Sequence, residues 1–547
     1  MLRLTRGHAP LMALLVCSFA GLAACHHHHQ KFAVTTYHYD NLRSGWNSHE
    51  DRLTPATVRS SHFGVLYTAA LDGIVDTQPL VVPDEAITGG SHPGKYDVVY
   101  VTTENNTVYA IDAGSGAVLL QQSLGVPFSG WGVGINGTPV IDRGSNTMYV
   151  VAYTTVSGVP AYQIHALDLS TLADKVSPPP TVSASHTLTD GTSFPFNAGW
   201  QRQRPALVLA NGNVYAAFGS FGDWGGPNSR GWVLGWSTPS LAALPNNQLN
   251  NRLVTAPDSL FLSSVWMSGY GIAADPAGNL YFVTGNSDVQ FAPGGTNVGQ
   301  YLTTYQGAPT FGNIQNSVVS VPPDLSGVRD IFTPWAQTGL DQVDADYGSG
   351  GAMLLPDVHG PVPHLVAAAG KDGKMYVLNR DNLGGYNPPQ FGSGAIDTVV
   401  AEVNIGACWC GPSYFYSDGP YIVSSGGANA HIWKVHTSES VSLIHEGVSP
   451  PLDTHGDGGF DAGFMTSVSS DGEKHGIIWA VSRPDATQQV WLYAFEAKPP
   501  PGSNTLTLLY NQAVGAWQGG NSNVVPVVAN GKVYVATYQK LTIFGLH

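Results

Sequence analysis

The chain has 547 residues, a length that ordinarily divides into several domains, yet only 11% of them are charged and 65 are glycine. That mix suits tight turns between packed strands and excludes helical bundles and long disordered tracts. A formal net charge of −15, with no cluster of Lys or Arg, argues against a nucleic-acid partner.

In chain order, the first element is an export signal. Arg3 and Arg6 supply a basic start, and Leu11 to Ala24 supplies an apolar core too short to span a bilayer, which takes roughly 20 residues. It ends in Leu22-Ala23-Ala24-Cys25, which resembles the lipobox of bacterial lipoproteins. The resemblance implies a signal peptide over 1–24 and a lipidated Cys25; cleavage after Ala24 without a lipid is the alternative. The organisation expected is therefore a signal at 1–24, a His-rich tether at 25–36 and one domain over 37–547. It places the protein outside the cytoplasm, in the periplasm or at the outer membrane, held to a membrane only through Cys25. His26 to His29 read as part of the tether, with incidental metal affinity.

From there a unit of short strands repeats. Its clearest copies are Asp97 to Gly116 and His364 to Gly384, each with a Val-Tyr or Met-Tyr pair and a turn rich in Asp, Asn and Gly. In the first unit, Thr77–Val82, Asp97–Thr103, Thr107–Asp112 and Ala117–Ser123 read as four strands. The third strand recurs near Ala161–Leu169, Gly231–Trp236, Asn316–Val321, Lys374–Arg380, His431–Val435, Val490–Phe495 and Leu541–Phe544, which makes eight units. Units of this kind bury both faces only against their neighbours, and a closed ring leaves no free sheet edge. The last unit stops after its third strand, and Phe63 to Leu71 is placed to supply its fourth. The fold predicted is all-β, an eight-bladed propeller of four-stranded antiparallel blades closed by its two ends, with seven blades as the alternative. Long insertions are expected around Ser170–Pro205, Gln290–Ile314 and Gly385–Asn404.

Two motifs invite a functional reading and resist it. Gly132-Val133-Gly134-Ile135-Asn136-Gly137 matches a dinucleotide fingerprint, but Thr138–Val151 after it is strand-like, so no helix N-terminus is available for a pyrophosphate. Asp453, Asp457 and Asp461 recur with His455 in a Gly-rich loop that suits Ca²⁺. After export the remaining cysteines are Cys25, Cys408 and Cys410. Cys408 and Cys410 are close enough to pair in an oxidising compartment, strained if the segment is an extended strand; free buried thiols are the other reading.

The repeats resemble those of the quinoprotein propellers, which bind pyrroloquinoline quinone (PQQ), and of their non-catalytic relatives. Ala273 to Asn286 resembles the dehydrogenase segment whose final Asn ligates Ca²⁺ beside the quinone, which implies that role for Asn286. Asp344-Ala345-Asp346-Tyr347 resembles the segment of the catalytic base, which implies Asp346, also near the metal. Ala369 to Arg380 resembles the segment whose basic residue contacts the quinone oxygens, which implies Lys371. Gly219 to Asp223 resembles the segment holding an acidic Ca²⁺ ligand, here Asp223. In that arrangement a Ca²⁺-polarised quinone, a carboxylate base and a cation beside the developing charge are chemically consistent.

The sequence departs from that pattern in four ways. No adjacent Cys-Cys pair is present, and the aromatic floor falls at Gly271, with Trp266 and Tyr270 nearby but out of register. Asp223 is one methylene shorter than Glu, and no Cys-x-x-Cys-His haem motif provides an electron exit. Two functions follow. The first, which these departures favour, is a non-catalytic envelope propeller that binds a protein or glycan, like the propeller lipoprotein of the outer-membrane β-barrel assembly machinery. The second is a PQQ- and Ca-dependent dehydrogenase that oxidises an alcohol or sugar.

Overall fold

The computed structural model describes residues 31–222, 226–254, 261–287, 312–386, 397–452, 462–518 and 522–547. Cys25, His26 to His29, Asp223, Asp453, His455, Asp457 and Asp461 lie outside the described residues. The compact unit that carries the repeats is Phe32–His547.

Eight antiparallel sheets, one per sequence repeat, make an eight-bladed β-propeller. Blade 1 is Leu80–Ile87, Gly94–Thr102, Thr107–Asp112 and Val118–Ser123, paired in that order. Each later third strand falls where the repeat predicts it, from Val159–Asp168 in blade 2 to Gln489–Glu496 in blade 7. The middle strands are buried on both faces, as Leu280–Val283 and Leu365–Ala369 illustrate, because each blade is covered by a neighbour on either side. Among the described residues the α-helices are two short ones, Pro55–Val58 and Gln337–Gln342, and none is long and apolar enough to cross a membrane.

Closure occurs as the sequence suggests. Phe63–Ala70 pairs antiparallel with Lys540–Leu546, from Phe63 opposite Leu546 to Ala70 opposite Lys540, and completes blade 8. Blades 4 and 7 each gain a fifth strand paired in parallel, Gly385–Tyr386 and Trp46–Asn47, and in two other blades the four strands are themselves irregular. In blade 2 the fourth strand is reduced to single bridges, Gln163 with Thr181 and Leu167 with Asp174, and the following insertion makes its own hairpin, Ser185–Thr187 with Ser193–Pro195. In blade 3 the inner strand is broken into Gln201–Gln203 and Val208–Ala210, both paired with Asn213–Ser220. Pro205, which has no N–H to give to the ladder, lies in that break beside Arg204.

The segment from Phe32 to Glu50 is a feature the repeat does not announce. It runs around one end of the central channel and bonds to the inner strand of every blade. Val34 pairs with Val81, and the carbonyls of Thr35, Asn41, Leu42, Ser44 and Gly45 accept from the N–H groups of Ile141, Ala274, Leu354, Tyr414 and Val468. Arg43 and Asn47 donate to Leu207 O and Val528 O, which covers blades 3 and 8. Arg43 is fully buried, and its guanidinium also donates to Ile272 O at 2.8 Å and Tyr37 O at 2.8 Å. That end of the channel is therefore plugged by backbone, and the described residues of the opposite end surround a cavity.

Candidate functional site

At the end opposite the plug, each blade contributes the approach to its inner strand and the turn after its second strand. These converge on a cavity of about 390 Å³ near the axis, beside blades 3 to 6. The site residues read from blades 4 and 5 meet here. Asn286 follows Leu280–Val283, Asp346 precedes Ala352–Leu354, and Lys371 follows Leu365–Ala369; all three line the cavity.

Asp346 is the centre of this arrangement. Its Oδ1 accepts the Asn286 backbone N–H at 2.8 Å, and its Oδ2 accepts from Lys371 Nζ at 2.9 Å. Lys371 Nζ also donates to Asp344 O at 2.9 Å and Asp344 Oδ2 at 3.2 Å, while Asn286 Nδ2 donates to Asp344 Oδ1 at 2.8 Å. Two glycines make the approach possible. A Cβ on Gly285 would lie 2.6 Å from Asp346 Oδ1, and one on Gly348 would lie 2.3 Å from Gly285 N, so any side chain at either position would push the two loops apart.

Burial raises the Asp346 carboxyl to about 6, with Lys371 pulling it down and Asp344 pushing it up. For Lys371, burial disfavours the charge, but Asp346 and Asp344 together outweigh it and the ammonium is held more tightly than usual. Behind the pair, Asp341 accepts from Gln315 Nε2 at 2.5 Å and Asn316 Nδ2 at 2.8 Å, and Asn316 Oδ1 takes the Tyr347 N–H at 2.9 Å. This buried polar cluster fixes the Asp346 loop. The sequence did not single it out, since Asn and Gln on strand edges are ordinary turn residues.

The aromatic residues correct an expectation. Gly271, the predicted floor position, packs instead on Arg43 at the plugged end, where an added Cβ would lie 2.7 Å from Arg43 Nε. Tyr270 is also structural, its hydroxyl lying 2.8 Å from Arg43 O and 2.9 Å from Pro412 O, with its one proton shared between the two acceptors. Trp266 is the residue that lines the cavity. The turn Met267–Gly269, with positive φ at all three residues, takes up the extra chain between Trp266 and its strand and shifts the indole out of sequence register.

Cys408 and Cys410 are joined by a disulfide with Cα atoms 4.9 Å apart. The segment is a bend and not an extended strand, which brings the two Cα atoms closer than strand geometry implied. The bend presents Trp409 to the cavity, where its ring meets that of Trp266 edge to face at 5.1 Å. Lys371 Nζ lies 5.8 Å from the Trp266 ring centroid and 5.5 Å from that of Trp409.

The blade 3 wall supplies cations that the sequence reading missed. Arg202 and Arg204 line the cavity, as do Ser220 and Phe221 just before Asp223. Arg202 Nε donates to Asn136 Oδ1 at 2.9 Å, and Asn136 Nδ2 donates to Asp76 Oδ2 at 2.5 Å and Glu104 Oε1 at 2.8 Å. Asn136 belongs to the glycine motif rejected as a dinucleotide site. Its glycines serve close packing, a Cβ on Gly134 falling 2.3 Å from Glu104 O.

No family model matches the chain, and no curated protein matches it. Among solved structures it resembles the quinohemoprotein alcohol dehydrogenase from Comamonas testosteroni, at 14% identity and a TM-score of 0.57 over 94% of this chain and 80% of that one. A quinohemoprotein alcohol dehydrogenase from Pseudomonas putida HK5 gives 13% identity and a TM-score of 0.59 over 94% and 80%. A europium-containing methanol dehydrogenase gives 13% and 0.56 over 94% and 98%. At such identities the likeness is one of fold, and the chain is an eight-bladed β-propeller built like those of the quinohemoprotein alcohol dehydrogenases.

Proposed function

We propose that the chain is a quinone-dependent dehydrogenase that oxidises a small alcohol or sugar, with Asp346 as the base. The observation that carries this reading is the buried Asp346 carboxylate, held between the Asn286 N–H and Lys371 Nζ at the wall of an axial cavity. Cavities of a few hundred Å³ with a few convergent polar groups are ordinary small-molecule sites.

PQQ is flat and carries several carboxylates, which suits Trp266 as a stacking surface and Arg202, Arg204 and Lys371 as cations around it. Calcium has less support: Asp346 and Asn286 offer oxygen atoms, but among the described residues no three His, Cys, Asp or Glu side chains converge to hold a metal. Asp223, the remaining acid of the expected set, lies outside the described residues. A bound quinone supplies the two-electron acceptor for the reaction. Asp346 takes the hydroxyl proton of the alcohol, and Lys371 stabilises the negative charge left on its oxygen. Asn286 and Lys371 together fix the carboxylate, so little reorganisation is needed at the moment of transfer.

Titration of the purified chain with PQQ and Ca²⁺ tests this directly. Saturable quenching of tryptophan fluorescence and dye-coupled alcohol oxidation are expected, with Asp346→Asn abolishing turnover and leaving binding. Absence of quenching at tens of micromolar PQQ would remove the reading.

The second reading, a non-catalytic propeller that binds a protein or glycan, is favoured by one contact. Trp409 meets Trp266 edge to face at 5.1 Å, so a planar ligand against Trp266 has to displace part of that contact. In either reading the protein works in the cell envelope, held by a lipid on Cys25. Cys25→Ser should then release it from membranes, and unchanged fractionation would refute the anchor.

A further inference from the structure

One cation of the cavity wall stands apart from the other two. Arg204 lines the cavity, and among the described residues it makes no hydrogen bond or ion pair. Its contact is with an aromatic ring, its Cζ lying 5.7 Å from the Trp266 centroid. Its neighbour Arg202 is different, being tied to Asn136 and lying 4.0 Å from Glu104. Lys371 on the other side is paired with two carboxylates. Arg204 is thus the cation of this wall that no carboxylate contacts among the described residues, Asp76 and Glu104 acting on it only from a distance.

Asp76 and Glu104 act on Arg204 from a distance, and burial together with Asp76 raises the Glu104 carboxyl to about 8, which weakens that attraction near neutral pH. Placing Arg204 here has a visible structural cause, since it sits in the break of the blade 3 inner strand next to Pro205. A half-buried guanidinium that makes no hydrogen bond among the described residues leaves its N–H groups available to an anion in the cavity.

The other half of the ligand is indicated by rings. Phe221 lines the same cavity and stacks flat on Trp131, with centroids 4.9 Å apart and planes 3° from parallel. Trp131 is 42% exposed, which is high for an indole and gives a flat apolar ledge leading outward from the cavity.

We propose that this cavity binds a ring-bearing organic carboxylate, its carboxylate held by Arg204 and its ring against the Trp131–Phe221 ledge. The carboxylate is the substrate's, which makes that substrate a hydroxy acid. The hydroxy-acid assignment deepens the dehydrogenase reading, whereas Arg204-dependent anion binding stands without it.

The test uses mandelate and its uncharged counterpart 1-phenylethanol, titrated into the mature chain with tryptophan fluorescence as readout. Mandelate should bind at least about 10-fold more tightly, as a charge-assisted contact requires. That preference should shrink with added salt, vanish in Arg204→Gln and be partly kept in Arg204→Lys. Wild-type salt dependence and the Lys variant keep the test valid if Arg204→Gln does not fold.

Repeating the titration with saturating PQQ shows whether the quinone takes the same cation. A mandelate preference that persists supports the proposal. Loss of that preference, together with weaker PQQ binding by Arg204→Lys, gives Arg204 to the quinone and overturns it. Equal affinities for mandelate and 1-phenylethanol would overturn it as well. Arg204-dependent mandelate binding without any oxidation would instead count against the dehydrogenase reading alone.

Discussion

Lys371 Nζ lies 2.9 Å from Asp346 Oδ2, and the two side chains are 5% and 7% exposed, so the pair is a buried ion pair at the edge of an open cavity. Its members come from different loops of blade 5, one before its inner strand and one after the next. Removing either partner leaves the other charge in a site that water barely reaches.

Lys371→Met should therefore destabilise the protein by about 3–5 kcal/mol, the usual effect of breaking a buried pair. Urea unfolding monitored by tryptophan fluorescence measures this. A loss under about 1 kcal/mol would mean that water screens the pair as it screens a surface bridge.

The pH dependence of turnover should follow Asp346. With its carboxyl raised to about 6, the base is protonated below that pH and free above it, so the rate should rise with pH through about 6. A rate profile flat from pH 5 to 8 would exclude Asp346 as the base.

Glu104 makes a separate prediction about stability. Its folded-state value of about 8 is above the ordinary 4.5, so between those limits the folded chain holds a proton that the unfolded chain has released. The stabilising contribution is full below about pH 4.5 and is lost as pH rises through 8. Glu104→Gln should flatten the stability profile in that window, raising stability relative to wild type at pH 8. Parallel profiles for the two proteins would show that Glu104 is ionised in the fold.

Arg43→Met tests the plug. The guanidinium serves the backbone carbonyls of Tyr37, Leu207 and Ile272, which would be left without that donor. Each buried unsatisfied acceptor costs roughly 1–3 kcal/mol, so the total loss should exceed about 3 kcal/mol. Thermal unfolding reads this, and a change within error would mean that solvent enters the channel from that end.

Closure of the ring has its own test in the terminal strand. Ile543, opposite Tyr67, is fully buried, and Ile543→Ala should cost about 2–5 kcal/mol. Leu546, opposite Phe63 and 37% exposed, should tolerate alanine within about 0.5 kcal/mol. Equal effects would mean that the terminal strand frays as a unit.

The sequence by itself determined the repeat, the number of blades and the pairing of Phe63–Ala70 with Lys540–Leu546, because strand period and turn residues act over a few neighbours. It also pointed to Asn286, Asp346 and Lys371, through segments that keep recognisable surroundings. Only the tertiary structure decided that these three share one wall, that Trp266 and not Gly271 faces the cavity, and that Arg204 lines it with no hydrogen bond among the described residues. Those facts depend on which loop ends meet at the axis, and a short turn such as Met267–Gly269 moves a side chain several ångströms without altering the strand pattern. The plug around Arg43 was hidden for the same reason. Its hydrogen bonds join one irregular segment to inner strands as distant as Val81 and Val528, and no local period records contacts of that range.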